Sequence, residues 1–440
     1  MSLTEGLYSL GVRAYSLGIR VAALLGNAKA RLWVEGRKNF PEGEPPGTQA
    51  ARLRDNDSGT QAARLRDSES VAQASRLRTG EASRLRTGEW VWFHAASLGE
   101  FEQGRPLIEA LKERYPNLKV TLSFFSPSGY EIRKNYPLAD EVLYLPIDTK
   151  KNARRWVQRH HYVAAFFIKY EFWFHYMQAL AEAQVPLYYI SLILQPKQYF
   201  FRWYGGWFRN QLNNVCHFFA QDEATKELLG GIGFHNVTVC GDTRFDRVAA
   251  IARHAKTFPK VEAFIHGRPC VIAGSTWPPD EKLLAEALPT LPDNYCLIIA
   301  PHDISASHVK DIRTLFSGHQ DKVLIIDTIG MLSQLYQYAR FVYIGGGFGV
   351  NIHNIQEPVS FGCPVVFGPK YKSFKEAVDL VALGGASSIK DGTELKQVFG
   401  QWIHDEDRCA KASEICKQYV ASQLGATEKI LSQITSIFSV

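Results

Sequence analysis

The sequence has no CxxC pair. Its seven cysteines (Cys216, Cys240, Cys270, Cys296, Cys363, Cys409, Cys416) lie mostly in or beside apolar, strand-like runs. That pattern excludes a disulfide frame or a paired-cysteine zinc site and implies reduced thiols in the core of a cytosolic protein. No HxxxH or carboxylate cluster has metal-ligand spacing, so no metal is expected. There is no small-residue cleavage site after a compact apolar region, so no cleavable signal peptide is expected. The apolar N-terminal stretch carries Arg13 and Arg20 midway, which argues against a membrane-spanning helix. Acid is slightly short, 44 Asp and Glu against 50 Lys and Arg, for a net charge of +6. This suits an acidic partner such as a phosphorylated lipid or a nucleotide.

A chain of 440 residues with 46% hydrophobic content exceeds one ordinary core and implies two domains plus appendages. Residues 3–34, within an N-terminal segment 1–40, read as one or two helices. Either they form an amphipathic, membrane-associated helix on an anionic surface, or they pack on the body of the protein. Residues 41–89 repeat RLR in near-copies of GTQAARLRD and ASRLRTGE. They read as a basic, mostly disordered insert, without aromatics for base stacking, and no nucleic-acid partner is expected. From Trp90 apolar runs alternate with helical segments. Strands are expected at Trp90–His94, Lys119–Phe125, Glu141–Leu145, Val163–Ile168, Pro186–Ser191, His217–Gln221 and Val237–Cys240. The rhythm restarts with Cys270–Ala273, Tyr295–Ala300, Val323–Ile326, Phe341–Ile344 and Pro364–Phe367. This predicts an α/β protein with two Rossmann-like domains, 90–250 and 251–440, facing a cleft, with the last helices capping the first domain or crossing back over it.

Polar and glycine turns follow these strands. In 345–358, GGGFGVNIHNIQEP, glycines allow close backbone approach, a helix starting near His353 would favour an anion, and Glu357 about one turn in could take two ribose hydroxyls. In 274–281, Ser275 and Thr276 make either a phosphate cradle or an ordinary helix cap. His302 after Pro301, and the turn around Gly330, reach the same rim. In 94–106 Glu100 sits at a strand-to-helix turn. There it should stay ionised as a general base, or serve the helix dipole alone. Lys169, Glu171 and Arg244 could bind an acceptor or a developing negative charge, or form an interdomain salt bridge.

The ordered segments WVEGRK (33–38), SLGE (97–100), SPSGYE (126–131), YLPIDT (144–149), EFW (171–173), GDTRFD (241–246), DTIGML (327–332) and HNxxEP (353–358) together resemble the Kdo transferases of lipopolysaccharide synthesis. The likeness covers nearly everything except 41–89. It implies a two-domain glycosyltransferase-B (GT-B) fold. The activity implied is metal-independent, inverting transfer of 3-deoxy-D-manno-octulosonic acid (Kdo) from CMP-Kdo to a lipid A precursor at the cytoplasmic face of the inner membrane. Glu100 matches the family's general base. Pro301 and His302, Ile329, Gly330 and Met331, and Asn354, Ile355, Gln356 and Glu357 match its CMP-binding segments. The acceptor's phosphates would meet the basic helix and Arg105. Three positions depart from the family pattern. Lys169 stands where a first acid is usual, leaving Glu171; Arg244 replaces a lysine; and Pro-His-Asp replaces Pro-Arg-His, so that His302 takes the arginine's place or the register slips by one. The rival readings are a UDP-sugar transferase or 2-epimerase on the same fold, and a non-catalytic nucleotide-binding membrane adaptor.

Overall fold

The computed structural model describes residues 3–38 and 88–438. The repeats of 41–89 fall, apart from Gly88 and Glu89, outside the described residues. The chain divides into two compact units, one of Met1–Thr243 with Gly425–Val440 and one of Arg244–Leu424. The second unit starts seven residues before the expected boundary. The reason is that the helix Arg244–Arg253 buries Phe245, Val248 and Ala249 in that unit's own core.

The first unit holds seven parallel strands: β1 (Trp90–Ala95), β2 (Lys119–Phe124), β3 (Glu141–Tyr144), β4 (Tyr162–Ile168), β5 (Leu187–Leu192), β6 (His217–Ala220) and β7 (Val237–Val239). Runs such as YVAAFFI in β4 are buried at nearly every position, as a parallel sheet covered on both faces requires. The order is β3-β2-β1-β4-β5-β6-β7. The chain therefore steps outward from β1 to β3 and returns to lay β4 beside β1. That reversal sets the carboxyl ends of β1 and β4 side by side, the position at which open α/β sheets generally bind their ligands.

The second unit repeats the scheme with β8 (Cys270–Thr276), β9 (Cys296–Pro301), β10 (Val323–Ile325), β11 (Ala339–Ile344), β12 (Val365–Phe367) and β13 (Ala386–Ser388) in the order β10-β9-β8-β11-β12-β13. All twelve expected strands form, with ends within three residues. The additional strand β13 is short, small and polar (Ala-Ser-Ser), and only pairing with β12 makes it a strand. Six cysteines are buried and Cys216 is exposed.

Helix Leu98–Arg114 lies on the β1–β4 seam, because a Cβ at Gly104 would fall 2.2 Å from Ile168 Cδ1; only glycine lets the helix settle there. The final helix Ala426–Phe438 adds Ile430, Leu431 and Ile434 to the same core. Helix Ala28–Lys38 docks through its WVEGRK segment. The Arg37 guanidinium donates to the carbonyls of Leu145 and Phe125 at 2.8 Å and lies 3.8 Å from the Trp33 ring.

Helix Leu3–Leu24 packs with its polar side inward. Glu5 pairs with Lys150 at 2.5 Å, the Tyr8 hydroxyl donates to Asp148 at 2.5 Å, and Ser9 meets His175 at 2.9 Å. Asp148 is fully buried and also accepts from the amides of His175 and Tyr176, so the helix satisfies an inward carboxylate. Its apolar side is left outward: Leu3, Leu7, Leu10, Leu17 and Leu24 are each at least 60% exposed. No helix among the described residues is long and apolar enough to cross a membrane.

Candidate active site

In the first unit, β1 and β4 bring together residues about seventy positions apart. Ser97 caps helix Leu98–Arg114 and Glu100 completes the capping box. Glu100 Oε2 accepts from the amides of Ala96 at 2.6 Å and Ser97 at 3.1 Å. The capping account is thus realised by one oxygen. The other, Oε1, has no hydrogen-bond donor among the described residues and is not sealed from solvent. Glu100 is only 9% exposed. Burial, and then the like charge of Glu171, push its carboxyl up from 4.5 to about 7, against the lowering effect of the two amides and of Lys169. This corrects the expectation of a carboxylate held ionised by the helix terminus: two amides do not offset desolvation plus a neighbouring acid.

Lys169 and Glu171 leave the end of β4. Lys169 has φ +62°, a left-handed conformation that costs a non-glycine residue about 1–3 kcal/mol. Its amide donates to the Ile190 carbonyl, and the Tyr189 hydroxyl holds the Glu171 carbonyl at 3.0 Å. Glu171 Oε2 accepts from Trp173 Nε1 at 2.9 Å and lies 3.3 Å from His94 Nε2. His94 is fully buried on β1, with Nδ1 2.9 Å from Ser123 Oγ, which in turn accepts from Trp92 Nε1 at 2.7 Å. Sequence reasoning missed His94, Ser123 and Trp173; a histidine ending a strand three residues before Ser97 was the available signal.

The GDTRFD segment divides between the units. Thr243 donates to the Gln103 carbonyl and meets Ser191 Oγ at 3.1 Å, while Gln103 donates to Asp242 at 3.4 Å. This tethers helix Leu98–Arg114 to the far strands. Arg244 opens the second unit and lies 3.7 Å from Glu376 there, an ion pair within one unit. Arg105 lies 2.7 Å from Glu109 and 3.6 Å from Glu102, both on its own helix.

In the second unit β8 and β11 are neighbours, with β9 on the other side of β8. Ser275 takes φ +54° at the end of β8, but Thr276 is fully buried and its hydroxyl donates to Glu281 at 3.0 Å. Asp280 occupies the start of helix Pro278–Ala287, accepting from the amides of Trp277 and Gly346, both at 2.9 Å, and from the Tyr343 hydroxyl at 2.7 Å. The Thr276 hydroxyl and the Trp277 amide are therefore taken up within the turn itself, as in an ordinary helix cap. A Cβ at Gly345 would fall 2.3 Å from the Ser275 carbonyl oxygen, which shows how closely the two turns approach.

The helix expected near His353 begins only at Gln356 and ends at Ser360, with the Asn354 side chain accepting from the Gln356 amide at 2.9 Å. Glu357 is therefore its second residue. Pro358, which lacks a donor, cannot extend a longer hydrogen-bonded run. Ile355 and Gln356 are buried, whereas Asn354 is exposed and Glu357 half-buried. Pro301 ends β9, and His302 donates its amide to the Thr276 carbonyl at 2.9 Å. The turn of Ile329, Gly330 and Met331 follows β10, at the sheet edge two strand spacings, about 10 Å, from β8; Ile329 is 83% exposed. Trp277, His302 and His353 form one contiguous ring cluster. Among the described residues no group of three or more His, Cys, Asp or Glu side chains is placed to hold a metal ion.

Residues 69–247 match the family model described as 3-Deoxy-D-manno-octulosonic-acid transferase (kdotransferase). The chain is 26% identical over 373 residues to a 3-deoxy-D-manno-octulosonic acid transferase of Bordetella pertussis, covering 78% of this chain and 86% of that protein. It is 24% identical over 349 residues to one of Chlamydophila psittaci, covering 74% and 80%. Among solved structures, a UDP-GlcNAc 2-epimerase from Neisseria meningitidis bound to UDP-GlcNAc shares the fold. Its TM-score is 0.59 at 16% identity, covering 79% of this chain and all of that one. The family match over residues 69–247, the relatives and the two-unit α/β fold agree in making this chain similar to the 3-deoxy-D-manno-octulosonic acid transferases.

Proposed function

We propose that this chain transfers Kdo from CMP-Kdo to a lipid A precursor with inversion, in lipopolysaccharide synthesis, and needs no metal. Glu100 is the general base. Its open oxygen takes the proton of an acceptor sugar hydroxyl as that oxygen bonds to the anomeric carbon of Kdo; the bond to the CMP phosphate breaks on the opposite face, and CMP leaves with the electron pair. The observation that carries this reading is a buried carboxyl with one oxygen open, beside Glu171 and Lys169 at the carboxyl ends of β1 and β4, where burial and Glu171 push it up to about 7. A base poised near neutrality is the one best matched to proton abstraction from an alcohol. Lys169 adds positive charge where an oxyanion approaches.

The acceptor side is a lipid surface, at the cytoplasmic face of the inner membrane. Helix Leu3–Leu24 offers outward leucines on a frame fixed by inward polar contacts, the inverse of a helix adapted to water on its outer face. Between that helix and Trp173 lies an apolar cavity of about 420 Å³ lined by Tyr8, Tyr15, Phe125 and Phe174 among others. CMP-Kdo and a lipid A precursor given to the purified chain should yield a Kdo-lipid, detected by mass spectrometry, and Glu100→Gln should abolish it while CMP still binds. No product with the native chain refutes the assignment. The likeness to UDP-GlcNAc 2-epimerases is one of fold, and a nucleotide panel in a thermal-shift assay separates that reading: CMP should stabilise the protein and UDP should not.

A further inference from the structure

The ring cluster of the second unit has a geometry that goes beyond a hydrophobic contact. Trp277 and His302 lie 4.7 Å apart at 27°, His302 and His353 4.4 Å apart at 21°, and Trp277 and His353 6.5 Å apart at 18°. Those three separations close a triangle nearly right-angled at His302. Trp277 and His353 therefore lie almost edge to edge, with the His302 ring offset against both. The edges are joined: Trp277 Nε1 donates to His353 Nε2 at 3.0 Å.

An indole nitrogen can only donate, so His353 Nε2 must accept, and the neutral ring carries its proton on Nδ1. Protonating Nε2 would set two donors against each other. Burial, and then His302, already hold the His353 imidazole down to about 4. Around the cluster the backbone is tied by four bonds: the Asp280 carboxylate to the amides of Trp277 and Gly346, the His302 amide to the Thr276 carbonyl, and the His353 amide to the Gly345 carbonyl. The platform is thus built by the ends of β8, β9 and β11. The Nδ1 of His353 is not sealed off and has no partner among the described residues. His302, stacked beside it, is exposed and likewise keeps both ring nitrogens without a hydrogen bond. A pre-set N–H beside a second ring with open nitrogens suits an oxyanion oxygen.

We propose that Trp277 is a positioning residue that pins His353 as an Nδ1–H donor to an oxyanion oxygen, phosphate ester or carboxylate, of the donor nucleotide. This rests on the donor reading above. The test uses the full chain and calorimetric binding of CMP, UMP and cytidine. Trp277→Phe keeps a stacking ring and removes the pinning N–H. It should weaken CMP by about three- to tenfold, the loss of one hydrogen bond, with cytidine unaffected if the oxygen is the phosphate's. Loss with CMP-Kdo but not with CMP would assign the carboxylate. Nitrogen-15 NMR of His353 should change from the Nδ1–H tautomer to a mixture.

His353→Asn places an amide N–H near the Nδ1 position, whereas His353→Gln reaches toward Nε2. Asn should bind CMP better than Gln, and in the Asn background Trp277→Phe should cost nothing further. Equal losses in both backgrounds, or no loss in either, overturn the inference even where native CMP binding stands. Should the native chain prefer UMP, with Trp277→Phe still weakening it, the inference holds and the cytidine donor falls. A folded native chain that binds no nucleotide overturns both.

Discussion

Replacing Glu171 by Gln should move the acid limb of activity to lower pH. Glu100 is held near 7 instead of 4.5, first by burial and second by Glu171; at 1.36 kcal/mol per pH unit this amounts to about 3 kcal/mol against ionisation. Glutamine keeps an oxygen to accept from Trp173 Nε1, which donates to Glu171 at 2.9 Å, and removes the like charge. Burial remains, so only the smaller share is relieved, and a fall of about one pH unit in the Glu100 titration is expected. At pH 6 a base titrating at 7 is about one-tenth ionised and one titrating at 6 about half, so the ratio of kcat/KM at pH 6 to that at pH 8 should rise about fivefold. Taking the ratio removes any uniform loss that the substitution causes. A carbon-13 titration of the Glu100 carboxyl gives the same answer without turnover. An unmoved limb, or one displaced upward, would mean that Glu171 is not what opposes the charge on Glu100.

Stability should report the same carboxyl. Its folded value near 7 lies above the ordinary 4.5, so the stability lent by the protonated form is full below 4.5 and is lost as pH rises through 7. Glu100→Gln, which cannot ionise, should gain on the native chain between pH 5 and pH 8 by up to about 3 kcal/mol in denaturant titrations, and a pH-independent difference would refute this. Leu10→Gln with Leu17→Gln should reduce sedimentation with anionic vesicles more than tenfold, since each leucine forfeits about 1.5–3 kcal/mol of burial in lipid. Both side chains are exposed, so the melting temperature should hold; unchanged vesicle binding would remove the outward face from the account. Gly345→Ala sets a Cβ 2.3 Å from the Ser275 carbonyl oxygen; it should destabilise the second unit by about 1–3 kcal/mol and weaken CMP, and a fully stable variant would show the turns to be freer than they look.

The parallel strands were readable because burial on both faces leaves long apolar runs, as in Val163–Ile168. The strand Ala386–Ser388 was not, since its small polar residues pair only because β12 is already there. Glu100 could be singled out from its strand-to-helix turn. Its protonation could not, because desolvation and the approach of Glu171 arise only when β4 lies beside β1. Thr276 misled for the opposite reason: a serine-threonine pair before prolines signals a cap whichever way the hydroxyl turns, and here it turns inward to Glu281.

Local pattern by itself thus determined the two α/β repeats, the strand-end positions of the polar turns and the family likeness, since apolar period, glycine and proline act over a few residues. Strand order decided the rest. Setting β1 against β4 and β8 against β11 brought Glu171 to bear on Glu100 and joined Trp277 to His353, while the buried Asp148 drew the polar side of helix Leu3–Leu24 inward. Charges and rings influence one another over a few ångströms of space, a distance that separation along the chain does not measure.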